Sequence, residues 1–262
     1  MSRTASLRIV EIAEAALLLA AGLAAGTVNA VAGGGSLITF PALLAIGLPP
    51  VPANVTNSLS VAPGYLAAVA GSRMDLPRSR LLAALVPTTV VGALAGAGLL
   101  LVTPARAFEL VVPFLVLGAT ALLAFQDPLR RLVGHPRDLG PRRRAVTVQV
   151  VVALAAVYGG YFGAAVGVML VAGLALVLDA TLARVSAIKN LLSAVIGLTT
   201  VVVFAIAGPV NWAGVAVVAP ATLIGGYVGA RLVRRLPSAV LKTIIVAFGT
   251  IIGTYLLWRA LA

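Results

Sequence analysis

The chain has 262 residues, of which 61% are hydrophobic and only 10% are charged, with a mean hydropathy of +1.12. A soluble domain of this length would need far more polar surface to cover its core, so we expect a polytopic membrane protein. The sequence contains no cysteine, which excludes disulfide bonds, thiolate metal sites and thiol catalysis.

The charge of the chain is strongly positive, with 19 lysines and arginines against 7 acidic residues and a net charge of +12. Most of the arginines lie in short segments between apolar stretches. This distribution is typical of cytoplasmic loops in membrane proteins. The basic character therefore predicts an orientation in a lipid bilayer, and it predicts no nucleic-acid partner.

Residues 9–48 form the first predicted element, a hairpin with an apolar helix, a glycine-rich break at residues 31–35 and a short second arm at residues 36–48. The second arm is short for a crossing, so it either turns back within the bilayer or crosses at a tilt. The start of the chain also resembles a signal peptide with a small-residue cleavage site at residues 30–32. Two glutamates interrupt the approach to the apolar run, and part of the hairpin recurs later in the chain, so we expect the segment to be retained.

The break contains three successive glycines, which let the backbone leave helical geometry and bring its N–H groups close to a ligand. The residue after them opens a new helix, whose unpaired N–H groups and dipole favour an anion. Close helix packing is the alternative role for such glycines. Because polar residues flank the break on both sides, we predict a binding site that contains Asn29, Gly33, Gly34, Gly35 and Ser36.

The next predicted element is a crossing helix at residues 52–71, which begins with a polar cluster. Asn57 and Ser60 lie on one helix face, and Thr56 precedes them. Polar groups inside a membrane are costly and often functional, although interhelical hydrogen bonding is the structural alternative for a serine. We therefore add Thr56, Asn57 and Ser60 to the candidate site.

Two further crossing helices are predicted at residues 81–102 and 107–126. The segments at residues 72–80 and 127–144 are rich in arginine, so we expect both to be cytoplasmic and the turn at residues 103–106 to be outside. The second basic segment is also the predicted linker between two halves of the protein.

An offset of 133 positions aligns the second half of the chain with the first without a gap. The matched residues are mostly Gly, Pro, Asn and Ser, whose positions depend on backbone shape or polar contacts. They include the pairs Gly26/Gly159, Gly34/Gly167, Asn57/Asn190, Ser60/Ser193, Pro87/Pro220, Gly92/Gly225 and Gly96/Gly229. Two copies of one apolar unit are typical of transporters built from structural repeats.

The second copy predicts a hairpin at residues 146–180 and crossing helices at residues 185–206, 212–231 and 239–258. Its break has fewer glycines, and we expect its short helix to begin near Met169, the counterpart of Ser36. Gly167 and Met169 are therefore the predicted site residues of this break.

Lys189, Asn190 and Ser193 form the matching polar cluster of the second copy. Lys189 is a cation within an apolar run, and the alternative is that it extends its charge to the cytoplasmic surface. An unpaired charge in a low dielectric is heavily penalised, so a bound anion would offset the charge of this lysine. We predict that all three residues belong to the same anion site.

Equivalent loops of the two copies carry different charges. The segment at residues 72–80 is basic and its match at residues 205–213 has no charge, whereas the turn at residues 103–106 matches a turn flanked by arginines. Equivalent loops are therefore expected on opposite faces of the membrane. The predicted fold is an all-α polytopic membrane protein with two inverted repeats of about five membrane segments each, the second segment of each being short or re-entrant. The predicted units are residues 1–126, the linker at residues 127–144, and residues 145–262, with the anion bound at the midplane between the repeats.

The first copy contains the runs GTVNAVAGGGSLITFPALL at residues 26–44, GLPP at residues 47–50 and TNSL at residues 56–59, and the second contains KN at residues 189–190. Together with the repeat, these runs resemble the TauE/SafE family of sulfite and organosulfonate exporters over essentially the whole chain. The resemblance implies a multi-pass secondary transporter of the bacterial inner membrane that carries small sulfur-containing anions and needs no cofactor. The second copy has two valines around Gly167, so its half-site need not bind equivalently.

Other functions remain open at this point. A carrier of another small organic or inorganic anion would have the same pattern, and a homo-oligomer is compatible with it. An intramembrane enzyme would need a catalytic pair or a metal cluster, but the sequence offers one histidine, His135, in a basic loop. A cation carrier would place carboxylates at the repeat centre, where this sequence has amides, hydroxyls and one lysine. A non-transport membrane protein would not need a duplicated glycine break.

The sequence contains no nucleotide-binding motif, so we expect a gradient to drive transport. Glu109 lies near the start of a crossing helix. We expect this carboxylate to pair with a charge or to anchor the helix at the interface, and not to couple transport to an ion.

Overall fold

A computed structural model describes residues 12–31, 34–77, 80–125, 128, 140–178, 180–232 and 238–261 of the protein. Within these residues the regular structure is entirely helical, with ten α-helices and one short 3₁₀ turn at Arg73–Asp75. The helices are α1 (Ile12–Val31), α2 (Ser36–Ala45), α3 (Pro50–Ser72), α4 (Arg80–Val102), α5 (Ala105–Ala124), α6 (Pro141–Tyr161), α7 (Val166–Val177), α8 (Leu182–Ala207), α9 (Trp212–Leu232) and α10 (Ser238–Leu261). The predicted all-α class is confirmed.

Five of the described helices are long and apolar enough to cross a membrane, over Ile12–Ala30, Arg80–Val102, Ala105–Ala124, Arg142–Tyr161 and Ala183–Ala207. By contrast, α2 and α7 are apolar but have only 10 and 12 residues. At 1.5 Å per residue they are roughly 15–18 Å long, whereas a bilayer core is about 30 Å thick. Both hairpins therefore have the short second arm that the sequence predicts.

The bounds of the crossing helices agree with the predicted bounds to within three residues. The linker differs, because α6 begins at Pro141 and includes the last residues of the predicted segment at 127–144. Proline is favoured at the first position of a helix, where its missing N–H needs no partner. Residues 129–139, with His135, and residues 1–11, on which the signal-peptide question depends, lie outside the described residues.

Two pairs of helices, α1 with α9 and α4 with α6, pack closely side by side in the same direction. A Cβ atom added at Gly22 would lie 2.7 Å from the Ala221 Cβ, and one added at Gly92 would lie 2.7 Å from the Ala156 Cβ. The helices approach this closely because glycine has no side chain. Each pair joins one helix of each copy, and the two pairs are equivalent to each other, since α1 corresponds to α6 and α9 to α4.

Helices α3 and α8, which are equivalent in the two copies, pack against each other in opposite directions. Near one end of the pair, Asn190 Nδ2 donates to the Ser72 hydroxyl over 3.0 Å. Near the other end, a Cβ added at Gly208 would lie 2.9 Å from a Val55 methyl group. Helices α5 and α10 form a second antiparallel pair between the copies. All four pairs therefore join the two halves of the protein.

Basic residues are unevenly distributed between the two ends of the bundle. The end of α3 and the starts of α4, α6 and α8 lie together at one end, the arginine-rich end. In the described part of the chain this end carries Arg73, Arg80, Arg142, Arg143, Arg144 and Arg184. The opposite end carries Arg106 and Arg259 together with the exposed side chains of Trp212 and Trp258.

Candidate functional site

The first helix break lies between α1 and α2, and its residue Gly33 is outside the described residues. Asn29 Oδ1 accepts a hydrogen bond from the Gly35 N–H over 2.8 Å, so this side chain closes the turn. A Cβ added at Gly35 would lie 2.8 Å from the Asn29 Cγ, whereas one added at Gly34 would have its nearest neighbour 3.6 Å away. Space therefore requires glycine at position 35 and tolerates a side chain at position 34.

The first break is tied to α3 through the first turn of α2. Ser36 is the first residue of α2 and its side chain is buried. The Thr39 hydroxyl lies within hydrogen-bonding distance of the Gly35 carbonyl and of the Asn57 side-chain amide. These contacts hold the start of α2 against the polar start of α3, as the candidate site requires.

The second break is built differently, from two left-handed residues. Gly163 has a φ of 77° and Ala165 has a φ of 57°, a conformation that glycine adopts freely and alanine rarely. The chain reverses within these residues, and α7 begins at Val166. The expectation that this helix begins near Met169 is therefore wrong by three residues. Gly167 lies buried in its first turn, and Met169 is half-buried beyond that.

Both breaks meet α3 and α8 at a small central cavity. Its volume is about 20 Å³, which is enough for one water molecule and too small for an anion with three oxygens. The polar lining comes from two predicted residues, Ser36 and Asn57, and from Ser58, Tyr65 and Thr200, with Gly163 of the second break beside them.

Three of the polar lining residues were missed by the sequence-based prediction. Ser58 donates its proton to the Asn54 carbonyl over 3.0 Å, and Thr200 donates to the Gly197 carbonyl over 2.9 Å. These hydroxyls therefore offer a ligand only their lone pairs. The helical spacing of Asn57 and Tyr65, eight residues apart on one face of α3, is the signal that could have identified the tyrosine.

A second group of polar residues, the lysine cluster, consists of Asn29, Lys189 and Ser193. Lys189 is 3% exposed, and its Nζ lies 3.4 Å from the backbone carbonyl oxygen of Asn29. Asn29 Nδ2 is buried without a hydrogen-bond partner, as is the hydroxyl of Ser193, one turn from Lys189 on the same helix. Within the described part of the chain, no carboxylate forms an ion pair with this lysine. The cluster thus contains two buried donor groups that lack acceptors, beside a buried ammonium group whose hydrogen bond to a backbone carbonyl leaves its charge without an ion-pair partner among the described residues.

The remaining predicted residues make contacts within the protein. Asn190 donates to the Ser72 hydroxyl over 3.0 Å. The Thr56 hydroxyl accepts a hydrogen bond from the Asn211 N–H over 2.9 Å, and Ser60 donates to the Thr56 carbonyl over 2.7 Å. These contacts join helices of different halves or satisfy a hydroxyl within its own helix.

The structure does not bring Asn57 and Asn190 together. Because α3 and α8 are antiparallel, Asn57 lies beside the end of α8 and Asn190 lies beside the end of α3. The two side chains are roughly 20 Å apart along the pair at 1.5 Å per residue. Only Asn57 lines the central cavity. The described residues also contain no cluster of three side chains of the kinds that bind metal ions.

Comparisons with known proteins agree with the membrane architecture. A family profile described as Sulfite exporter TauE/SafE matches residues 18–256. The chain is 28% identical over 244 residues to the Probable membrane transporter protein YfcA of Escherichia coli K12, covering 89% of this chain and 86% of that protein. It is 25% identical over 233 residues to a Probable membrane transporter protein of Haemophilus influenzae, covering 88% and 89% of the two chains.

A third relative, the Probable membrane transporter protein ORF9 of Sinorhizobium sp, is 25% identical over 239 residues, covering 88% of this chain and 87% of that protein. No solved structure shows significant similarity to the chain. The matched family and these relatives are transporters and not enzymes, and the match extends over nearly all of the helices described above. The chain is therefore a multi-pass membrane protein that belongs to the TauE/SafE family of membrane transporters.

Proposed function

We propose that this protein is a secondary transporter that exports small sulfur-containing anions, such as sulfite or an organosulfonate, across the bacterial inner membrane. The lysine cluster is the observation that carries the proposal, because an amide and a hydroxyl are buried there without acceptors beside an ammonium group that has only a backbone carbonyl as its partner. A sulfite or sulfonate group has three oxygens, and these can accept hydrogen bonds from all three donors. The family name supports this class of substrate.

Electrostatics supports an anion at the lysine cluster. Removing an unpaired ammonium group from water costs several kcal/mol, and an anion bound beside Lys189 offsets this cost. The start of α2 lies next to the cluster, since Gly35 bonds to Asn29. The unpaired N–H groups and the dipole at the start of a helix favour negative charge as well.

The central cavity has a different role in this proposal. Ser58 and Thr200 donate their protons within their own helices, so they offer acceptors to a ligand and not donors. A water molecule fits both the volume and this lining. We therefore place the anion at Lys189, and the cavity on the other side of the first break is the space that opens when the protein changes conformation.

We further propose that the two halves are inverted repeats. Equivalent helices of parallel repeats would cross the membrane in the same direction, whereas α3 and α8 run in opposite directions. The repeats then comprise residues 1–126 and 145–262, joined by the linker at residues 127–144. Rocking of one repeat against the other around a site near the midplane would expose the anion to each side in turn.

The proposed orientation places the arginine-rich end in the cytoplasm, in accordance with the positive-inside rule. The loops at residues 46–49, 103–104 and 208–211 then face outwards. The short helices α2 and α7 return from the midplane to opposite faces, because neither is long enough to cross.

The lysine is the most direct test of the proposal. We expect Lys189→Met to weaken binding of sulfite or a sulfonate by about 1.5–3 kcal/mol, the contribution of a hydrogen bond to a charged group. Arg184→Met is the matched control, because Arg184 is exposed on the same helix five residues earlier. Affinity is measured by the anion-dependent rise in thermal stability of the purified protein. Export of labelled anion from proteoliposomes provides the functional measurement.

The outcome discriminates between several alternatives. If Lys189→Met binds sulfite and sulfonates as tightly as the parent, the lysine is not part of the site. If phosphate or acetate stabilises the protein and no sulfur-containing anion does, the protein carries another class of anion. If Arg184→Met reduces affinity as strongly as Lys189→Met, the effect reflects the general basic charge of this end of the protein.

A further inference from the structure

A second and much larger cavity, the outer cavity, lies near the end of the bundle opposite the arginine-rich end. Its volume is about 480 Å³, within the usual range for small-molecule sites. It is enclosed by the end of α2 with the loop that follows, by the first turns of α5 and by the last turns of α10. The lysine cluster and the central cavity share no lining residue with it.

The outer cavity contains one acidic and one basic side chain. Glu109 lies in the second turn of α5, and Arg259 lies two residues before the end of α10. The two helices are antiparallel, so these residues lie at about the same height in the bundle. Both side chains are exposed, and among the described residues they form no ion pair with each other. The cavity thus presents separated charges of opposite sign.

The rest of the outer cavity is mostly apolar and adjoins a lipid-facing surface. Its walls include Leu44, Val112 and Leu256, and the aromatic ring of Tyr255 also lines it. In the last turns of α10, Tyr255 and Trp258 are 52% and 68% exposed. Exposed aromatic side chains near helix ends are typical of the membrane interface. The charged pair therefore lies at the depth of lipid headgroups, above an apolar surface for acyl chains.

We propose that the outer cavity binds a zwitterionic phospholipid with a primary amine in its headgroup, of the phosphatidylethanolamine type. The Glu109 carboxylate accepts hydrogen bonds from the lipid ammonium group, and the Arg259 guanidinium donates to the lipid phosphate. The acyl chains lie along the exposed apolar surface of α5 and α10. A small inorganic anion would use the arginine but would leave the carboxylate unpaired and the apolar walls uncovered.

The headgroup selectivity of the delipidated protein tests this proposal in detergent. Phosphatidylethanolamine, phosphatidylcholine and phosphatidylglycerol with identical acyl chains are titrated, and the rise in thermal stability is measured. We expect about tenfold tighter apparent binding of phosphatidylethanolamine than of phosphatidylcholine, whose quaternary amine has no N–H to donate. Glu109→Gln should remove this preference, and Arg259→Gln should weaken binding of all three lipids. Arg106→Gln is the control, since Arg106 is exposed near the start of the same helix and does not line the cavity.

Several results of these titrations would overturn the lipid proposal. Equal binding of the three lipids by the parent protein overturns the proposal without any variant, as does a phosphatidylethanolamine preference that survives in Glu109→Gln. If sulfite protects Arg259 from a guanidine-specific reagent and phospholipid does not, the cavity belongs to the anion pathway and not to a lipid. Mass spectrometry of the lipids that copurify with the parent and with Glu109→Gln gives a second measurement that does not depend on delipidation.

Discussion

The two helix breaks have related sequences and different chemistry. At the first break, Asn29 and Lys189 bring an amide and an ammonium group together. The offset of 133 positions gives Phe162 and Thr56 as their counterparts at the second break. Phe162 packs against Phe40 with ring centroids 5.2 Å apart, in an aromatic group buried under the second break. The amide and the ammonium group of the first break are therefore not repeated at this offset.

The two breaks are also stabilised in different ways. Asn29 closes the first by accepting the Gly35 N–H. At the second, the Tyr158 hydroxyl donates to the Ala164 carbonyl over 2.7 Å, and the residue equivalent to Tyr158 in the first copy is Ala25. One break thus presents unpaired donors, and the other is filled by rings. The comparison predicts that substitutions of the polar side chains at the first break change anion affinity and that substitutions of the rings at the second change stability.

The largest effect is expected for Phe162→Ala. The ring is 1% exposed and contacts the rings of Phe40, Phe108 and Tyr158, so truncation should lower the free energy of unfolding by about 3–5 kcal/mol. Denaturant unfolding of the purified protein measures the loss. Phe204→Ala is the control, because Phe204 is equally buried on α8. If Phe162→Ala weakens anion binding more than the control does, the second break takes part in binding.

Asn29→Asp separates the two functions of the first break. The aspartate retains an oxygen for the Gly35 N–H, but it replaces the unpaired amide donor with a negative oxygen near Lys189. Anion affinity should fall by about 1.5–3 kcal/mol or more, while the protein stays folded. Titration of sulfite against the thermal midpoint measures the change.

Asn211→Asp is the matched control, because Asn211 Oδ1 accepts from the Gly214 N–H over 2.7 Å and the residue lies near the start of α9. An Asn29→Asp protein with unchanged affinity would show that the amide does not contact the anion.

Substitutions of the two described glycines of the first break should affect stability differently. Gly35→Ala should lower stability by about 1–3 kcal/mol, because the added Cβ overlaps the Asn29 side chain and the Ala25 carbonyl. Gly34→Ala should change it by less than about 1 kcal/mol, since the site has room and alanine restricts the unfolded chain. Thermal unfolding of the two variants side by side is the measurement. Equal losses of stability in the two variants would mean that backbone conformation, and not the space for a side chain, is the reason for glycine at both positions.

The smallest effect on stability is expected for two cysteine variants. They test whether equivalent loops of the two halves lie on opposite faces of the membrane. Met74 and Pro209 are exposed in loops that follow the equivalent helices α3 and α8. We expect Met74→Cys to react with a membrane-impermeant thiol reagent from the cytoplasmic side and Pro209→Cys to react from outside. Stability should be unchanged, and the absence of native cysteine removes background labelling. Labelling of both from one face would mean parallel repeats.

The sequence predicts the candidate site only in part. Ser36, Asn57 and Lys189 are identified because the break and the polar clusters that contain them are local features of the chain. The contact of Lys189 with Asn29 joins distant residues and depends on how the helices pack. Asn190 lies away from the cavity, since its position depends on the direction in which α8 packs on α3. Thr200 enters the site through the same packing and lies in an otherwise apolar stretch that gives no sign of it, whereas the helical spacing from Asn57 could have identified Tyr65.

The sequence by itself determined the membrane class, the duplication and the positions of the helices, because hydropathy, glycine and proline act over a few neighbouring residues. Only the tertiary structure decided which glycine must lack a side chain, since that depends on the distance from Gly35 to Asn29. It also decided that α7 begins at Val166, through the two left-handed residues Gly163 and Ala165. The contrast between the polar first break and the aromatic second break arises in the same way, because each break is completed by side chains from distant parts of the chain.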